Sequence, residues 1–308
     1  MVTRRRFLKL SAAGLAAAGV GGLAGACKRD DEAAGGDEAP GELVIGAKNF
    51  QEQWILAALI AKLVDREAGA KSRTERFETT FDCHEALVAG AIHSYVEYTG
   101  TAYAAVLRHY PISDPDEVYQ QVAKQYAEDF GVLWLPPLGF ENKYAILVRG
   151  DSAEEHGLSS ISDLAKVQDE FRPGFPFEFY DRADGYRGMI DSYELAFAKE
   201  PVQRDDITGA YRALLDGEVD VIVAHSTDGY IAAHDLVMLD DDKAYFPPYF
   251  AAPLLRADAA EALPEVREAL VSLGGRIDLD AMRRANHAVD SEGQSPAEAA
   301  AALLAEIS

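Results

Sequence analysis

Cysteine is nearly absent: two residues in 308, too few for a disulfide-stapled scaffold or a four-cysteine zinc site. Basic residues are also scarce, with 29 Lys+Arg against 52 Asp+Glu and a formal charge of −23. A nucleic-acid partner would need a basic face, so none is expected. No internal run approaches the roughly 18 apolar residues of a membrane span. Also missing are a G-x-x-x-x-G-K-[ST] phosphate loop, a G-x-G-x-x-G after a strand, a G-x-S-x-G elbow and an H-E-x-x-H pair. No cofactor is expected, and the chain offers little to an enzyme. What remains is 48% hydrophobic and 26% charged, the composition of a globular protein long enough for one large or two ordinary domains.

The N-terminus is an address. Arg4-Arg5-Arg6-Phe7-Leu8-Lys9 precedes a run of small apolar residues from Leu10 to Ala26, and Cys27 closes it. That is a charged region, an apolar region and a processing site. The arginines resemble a twin-arginine export signal, and Leu23-Ala24-Gly25-Ala26-Cys27 resembles a lipoprotein box, with Ala24 where a large aliphatic residue is usual. Residues 1–27 are therefore expected to be a lipoprotein signal with Cys27 lipidated, and residues 28–42 a polar tether. This places the protein outside the cytoplasm, attached to the membrane through lipid alone. Cys83 then has no intrachain partner and reads as a buried thiol.

Beyond the tether, strands and helices alternate. Strands are expected at 43–47, 93–97, 144–148, near 175–179 and at 219–224. Helices are expected at 53–68, 84–89, 186–198, 208–215, 259–273 and 296–307. Such alternation predicts an α/β fold with largely parallel sheets. One unit recurs: a helix, then Gly90, then a strand ending at Tyr98, echoed by a helix, Gly217, and a strand ending at His225, at the same spacing. Ligands bind beyond the carboxyl ends of strands in open α/β sheets. The echo predicts two similar lobes, each delivering a ring to a shared cleft, the architecture of hinge-closing solute receptors.

Few side chains suggest chemistry. Cys83-His84-Glu85 lacks a second ligand pair at metal-binding spacing. Ser226 beside His225 would be the cheapest nucleophile, but adjacent strand residues face opposite sides. Asp240-Asp241-Asp242 reads as a solvated turn. Tyrosines stand out: Tyr98, Tyr144 and Tyr249 lie at strand ends or in loops, and Tyr249 follows the stiff Pro247-Pro248 pair. Their rings suit a quaternary ammonium, which attracts aromatic faces and donates no hydrogen bond. A half-buried ring with a wet hydroxyl is the ordinary alternative for each.

Several blocks carry a resemblance. Val44-Ile45-Gly46-Ala47-Lys48-Asn49-Phe50-Gln51-Glu52-Gln53, Glu97-Tyr98-Thr99-Gly100-Thr101, Tyr180-Asp181-Arg182-Ala183-Asp184-Gly185-Tyr186, Ser226-Thr227-Asp228-Gly229, Phe246-Pro247-Pro248-Tyr249 and Val289-Asp290-Ser291-Glu292-Gly293 occur in order. Together they resemble the extracytoplasmic binding proteins for glycine betaine, choline and carnitine that serve ABC importers. The resemblance implies a type II periplasmic-binding-protein fold, with one lobe over 43–143 and 246–308 and the other over 144–245. It implies an ammonium cage of Tyr98, Tyr144, Tyr249 and position 225, with Lys48, Thr101 and Arg182 holding a carboxylate. The implied partners are a small quaternary amine and the permease and ATPase subunits of an importer.

The chain departs from that pattern in places. His225 stands where relatives carry Tyr, Gln51 where Thr is usual, and Phe77-Glu78-Thr79-Thr80-Phe81 where a glycine-rich loop is common. Neutral imidazole can wall a cage, whereas imidazolium repels a trimethylammonium group. These departures leave open carnitine, choline or a bulkier betaine; a same-fold receptor that signals instead of feeding a transporter is a separate alternative that the sequence does not distinguish.

Overall fold

The computed structural model describes residues 41–307 apart from 111, 177–178, 181–184 and 205–206. The expected signal, Cys27 and most of the tether lie outside the described residues, as does Arg182. The described strands are β1 (Leu43–Lys48), β2 (Ser72–Phe77), β3 (Ser94–Tyr98), β4 (Val132–Trp134), β5 (Tyr144–Arg149), β6 (Pro173–Pro176), β7 (Val202–Arg204), β8 (Val221–His225), β9 (Leu236–Leu239) and β10 (Ala251–Arg256). They form two five-stranded sheets of order β2-β1-β3-β10-β4 and β7-β6-β8-β5-β9.

The sheets are mixed, which corrects the expectation of largely parallel pairing. β1 runs parallel to β2 and β3, and β6 parallel to β7 and β8. β10 and β5 are antiparallel to both neighbours. These are the strands by which the chain enters a sheet from the other one, so no helical crossover precedes them. A parallel neighbour requires such a crossover. The two sheets thus share one plan, with β3 and β8 at the centre of each.

Both sheets bury both faces. Along β1, Val44 and Ile45 enter cores on opposite sides, as Leu254 and Leu255 do along β10. In the second sheet Ile146 and Val148 face one core while Ala145 and Leu147 face the other. Period-two alternation with apolar residues on both faces makes each sheet a filling between helical layers. The helix Gln51–Glu67 buries Ile55, Leu56, Leu59, Ile60 and Leu63 against the first sheet. Each such side chain contributes roughly 1.5–3 kcal/mol relative to exposure.

Several element limits differ from the sequence reading. The helix before Gly90 begins at Thr80, because Thr79 and Asp82 form a reciprocal capping box. The segment expected at 259–273 is two helices, Ala257–Ala262 and Pro264–Val271, since Pro264 cannot donate into a continuing helix. The helix from Tyr186 stops at Tyr193, where Glu194 turns left-handed with φ 55°. The strand expected near 175–179 covers Pro173–Pro176.

Candidate functional site

The echoed units occupy matching places. Gly90 and Gly217 take positive φ of 80° and 73° between helix and strand, a conformation glycine adopts without steric cost. Tyr98 then ends β3 and His225 ends β8, the central strands of their sheets. Both line one cavity of about 540 Å³, together with Lys48, Thr101, Tyr144 and Tyr249. Every described residue of the expected site is therefore on this cavity.

The rings form two walls. Tyr144 and His225 are direct cross-strand partners and stack with centroids 5.6 Å apart at 20°. They make one continuous surface, backed by Phe179 at 5.2 Å from Tyr144. From the other sheet come Tyr98 and Tyr249, with Phe50 stacked 6.3 Å from Tyr98. Phe50 escaped the sequence reading because an aromatic residue before a helix looks like an ordinary staple.

The E-Y-T-G-T block divides its labour residue by residue. Glu97 is fully buried and pairs with Lys48 Nζ at 2.5 Å. Tyr98 donates its hydroxyl to Glu52 Oε1 at 2.5 Å. Thr99 Oγ1 donates to the Pro248 carbonyl and accepts from the Phe250 amide, fastening the returning chain. Gly100 leaves room for Tyr249, since a Cβ there would come within 2.8 Å of the ring and 2.6 Å of the Pro248 carbonyl oxygen. Thr101 faces the cavity.

The S-T-D-G block is built on the same lines. Ser226 Oγ donates to the Glu141 carbonyl and accepts from the Lys143 amide, so it braces the segment between the sheets. Asp228 accepts from the His225 amide and from the Tyr211 hydroxyl. Gly229 lies against the helix Leu279–Asp290, where a Cβ would meet the His287 backbone at 2.5 Å.

Carboxylates also line the cavity. Glu52 is 3% exposed and accepts from Tyr98, from Asn142 Nδ2 and from Asn286 Nδ2. Asn286 also donates to the Thr227 carbonyl, tying the two halves of the site. Asp290 lines the cavity, and its carboxyl is pushed up to about 6 by partial desolvation and by Asp228. Glu52, Asn142, Asn286 and Asp290 were missed as site residues, because isolated polar residues on helices and linkers look solvated in sequence.

Other candidates fare differently. Cys83 is buried, and burial pushes its thiol up, as expected of an inert thiol. Asp241 holds the amides of Tyr245 and Phe246 and the Tyr193 hydroxyl, and Asp242 holds the Ser162 amide. The acidic turn is therefore more than solvated surface: it shapes the approach to Tyr249. Of the departures, Gln51, Thr80 and His225 all line the cavity.

Two mixed α/β lobes share a ring-lined cavity at the carboxyl ends of their central strands, the arrangement of a cleft that holds a small ligand. The family described as the substrate binding domain of an ABC-type glycine betaine transport system matches residues 41–306, and the chain belongs to it. It is 31% identical over 256 residues to the carnitine transport binding protein OpuCC of Listeria monocytogenes, covering 82% of each chain. It is 33% identical over 273 residues to the glycine-betaine-binding protein of Pseudomonas aeruginosa, covering 86% of this chain and 87% of that one. A crystal structure described as a glycine betaine/carnitine/choline ABC transporter superposes with a TM-score of 0.82 at 30% identity, over 86% of this chain and 98% of the other. As the substrate-binding protein of an ABC importer, the chain works outside the cytoplasm. Among the described residues no helix is long and apolar enough to cross a membrane.

Proposed function

We propose that the protein captures a quaternary-ammonium compatible solute, such as glycine betaine, choline or carnitine, and hands it to the permease and ATPase subunits of an importer. The observation that carries this reading is the convergence of Tyr98, Tyr144, His225 and Tyr249 on one cavity. Rings from two lobes can surround a trimethylammonium group, which is bound by ring quadrupoles and needs no hydrogen-bond acceptor. The ligands named for the relatives point the same way.

The lobes are assigned to 43–143 with 246–308, and to 144–245; the strand membership of the two sheets supports this division. Lys48, Thr101 and Arg182 are assigned to a ligand carboxylate, for which a guanidinium offers a matched fork. Residues 1–27 are assigned to a twin-arginine-type lipoprotein signal, with the lipid on Cys27 as the anchor.

Calorimetric titration with glycine betaine, choline and carnitine tests the reading. Saturable binding of at least one is expected, weakened by roughly 1–2 kcal/mol in Tyr98→Ala or Tyr249→Ala. Arg182→Ala should harm betaine more than choline. Absence of binding by all three would remove the assignment.

A further inference from the structure

Lys48 lines the cage, and it is already engaged. Its Nζ lies 4.5 Å from the centroid of the Tyr98 ring and 5.9 Å from that of Phe50. A free ammonium there would occupy the aromatic face meant for a ligand cation and repel that cation. Behind it stands Glu97, fully buried and absent from the cavity wall. One Glu97 oxygen takes the Lys48 ammonium at 2.5 Å and the Tyr98 amide at 2.7 Å, while the other accepts from the Tyr95 hydroxyl at 3.2 Å. The carboxylate is thus held rigidly by both strand and side chain, and lysine keeps further donors for a ligand.

We propose that Glu97 is a positioning residue that sets the charge preference of the cleft by neutralising Lys48. The inference rests on the quaternary-ammonium reading of the cavity. With Glu97 in place the Lys48–Glu97 pair carries no net charge, and Glu52 adds a carboxylate beside Tyr98, so a net cation such as choline and a zwitterion such as glycine betaine are both admitted. Without it Lys48 loses its ion-pair partner, and the added positive charge in a poorly solvated wall opposes the cation and favours the ligand that carries a carboxylate.

The test titrates wild type, Glu97→Gln and the neutral pair Lys48→Met/Glu97→Gln with choline and with glycine betaine. In Glu97→Gln the choline Kd should rise at least about tenfold more than the glycine betaine Kd, a modest estimate for one uncompensated charge. In the neutral pair the preference should swing back, with choline losing less affinity than glycine betaine. Equal losses for both ligands in Glu97→Gln would make the residue merely structural and overturn the proposal. Should Glu97→Gln not fold, the neutral pair decides alone, and a choline loss there as large as the glycine betaine loss overturns the proposal. If wild type binds neither ligand, the cavity reading itself has failed, an outcome distinct from an unchanged preference.

Discussion

Gly100 shows most clearly how a single residue shapes this site. The space it leaves is filled by the Tyr249 ring and the Pro248 carbonyl. Gly100→Ala is therefore expected to push Tyr249 out of the cage while the sheet survives, weakening ligand binding by about 1 kcal/mol or more, the worth of one ring; titration of a variant with an unchanged circular dichroism spectrum checks it. Asp290 adds a pH dependence. Its pKa is raised to about 6, chiefly by desolvation and then by Asp228, with Glu52 adding to the rise and His287 opposing it. A bound cation favours the ionised carboxylate, so binding releases protons and affinity falls as pH drops through about 6. For folding the sign is the reverse: a carboxyl raised above its unfolded value favours the native state at low pH, and that contribution is lost as pH rises through about 6. Asp290→Asn should flatten the acid limb of choline affinity. Acid and neutral titrations of wild type and Asp290→Asn check this, and an acid limb unchanged in the variant would refute it.

At the scale of elements, the helix Leu279–Asp290 links the two sheets. It packs on the helix Pro296–Glu306 and on Gln51–Glu67 of the first sheet's layer. Yet Arg283 Nε donates to the Ser226 carbonyl at 2.7 Å, and Asn286 to that of Thr227 at 2.8 Å, both beyond the end of β8. Arg283→Met should loosen this joint without touching the cage. Losing a charge-assisted bond to a backbone carbonyl is worth roughly 1.5–3 kcal/mol, and part of it should appear as weaker ligand binding with every cage residue present. An affinity equal to wild type would show that the joint does not bear on capture. Much of this architecture was legible in sequence: the echo around Gly90 and Gly217 located the central strands, and the ring at the end of each located the cavity. The antiparallel insertion of β5 and β10 was not legible, because strand direction depends on long-range partners that local periodicity does not encode. Nor were Glu52 and Asn286, whose significance lies in a contact spanning 234 positions of the chain. The break before Pro264 was readable from the proline but masked by the apolar spacing on either side.

For the whole molecule, the two sheets are joined by the segments between β4 and β5 and between β9 and β10. These segments pair with each other through Glu141 and Phe250, and through the Asn142 amide on the Tyr249 carbonyl. A crossing of this kind can bend while the lobes stay rigid, and a cavity walled from both sides is completed only when they approach. Small-angle scattering should therefore show a smaller radius of gyration with saturating ligand than without, and identical curves would argue against closure. The central claim is that aromatic faces hold a positive charge. It is tested most directly by titrating choline against its uncharged carbon isostere, in which a tert-butyl group replaces the trimethylammonium. Shape and apolar area are nearly matched, so only the charge differs. The account predicts that the isostere binds at least about tenfold more weakly, since a desolvated cation–π contact is worth roughly 2 kcal/mol. Equal affinities would make the cavity a merely apolar pocket and contradict it.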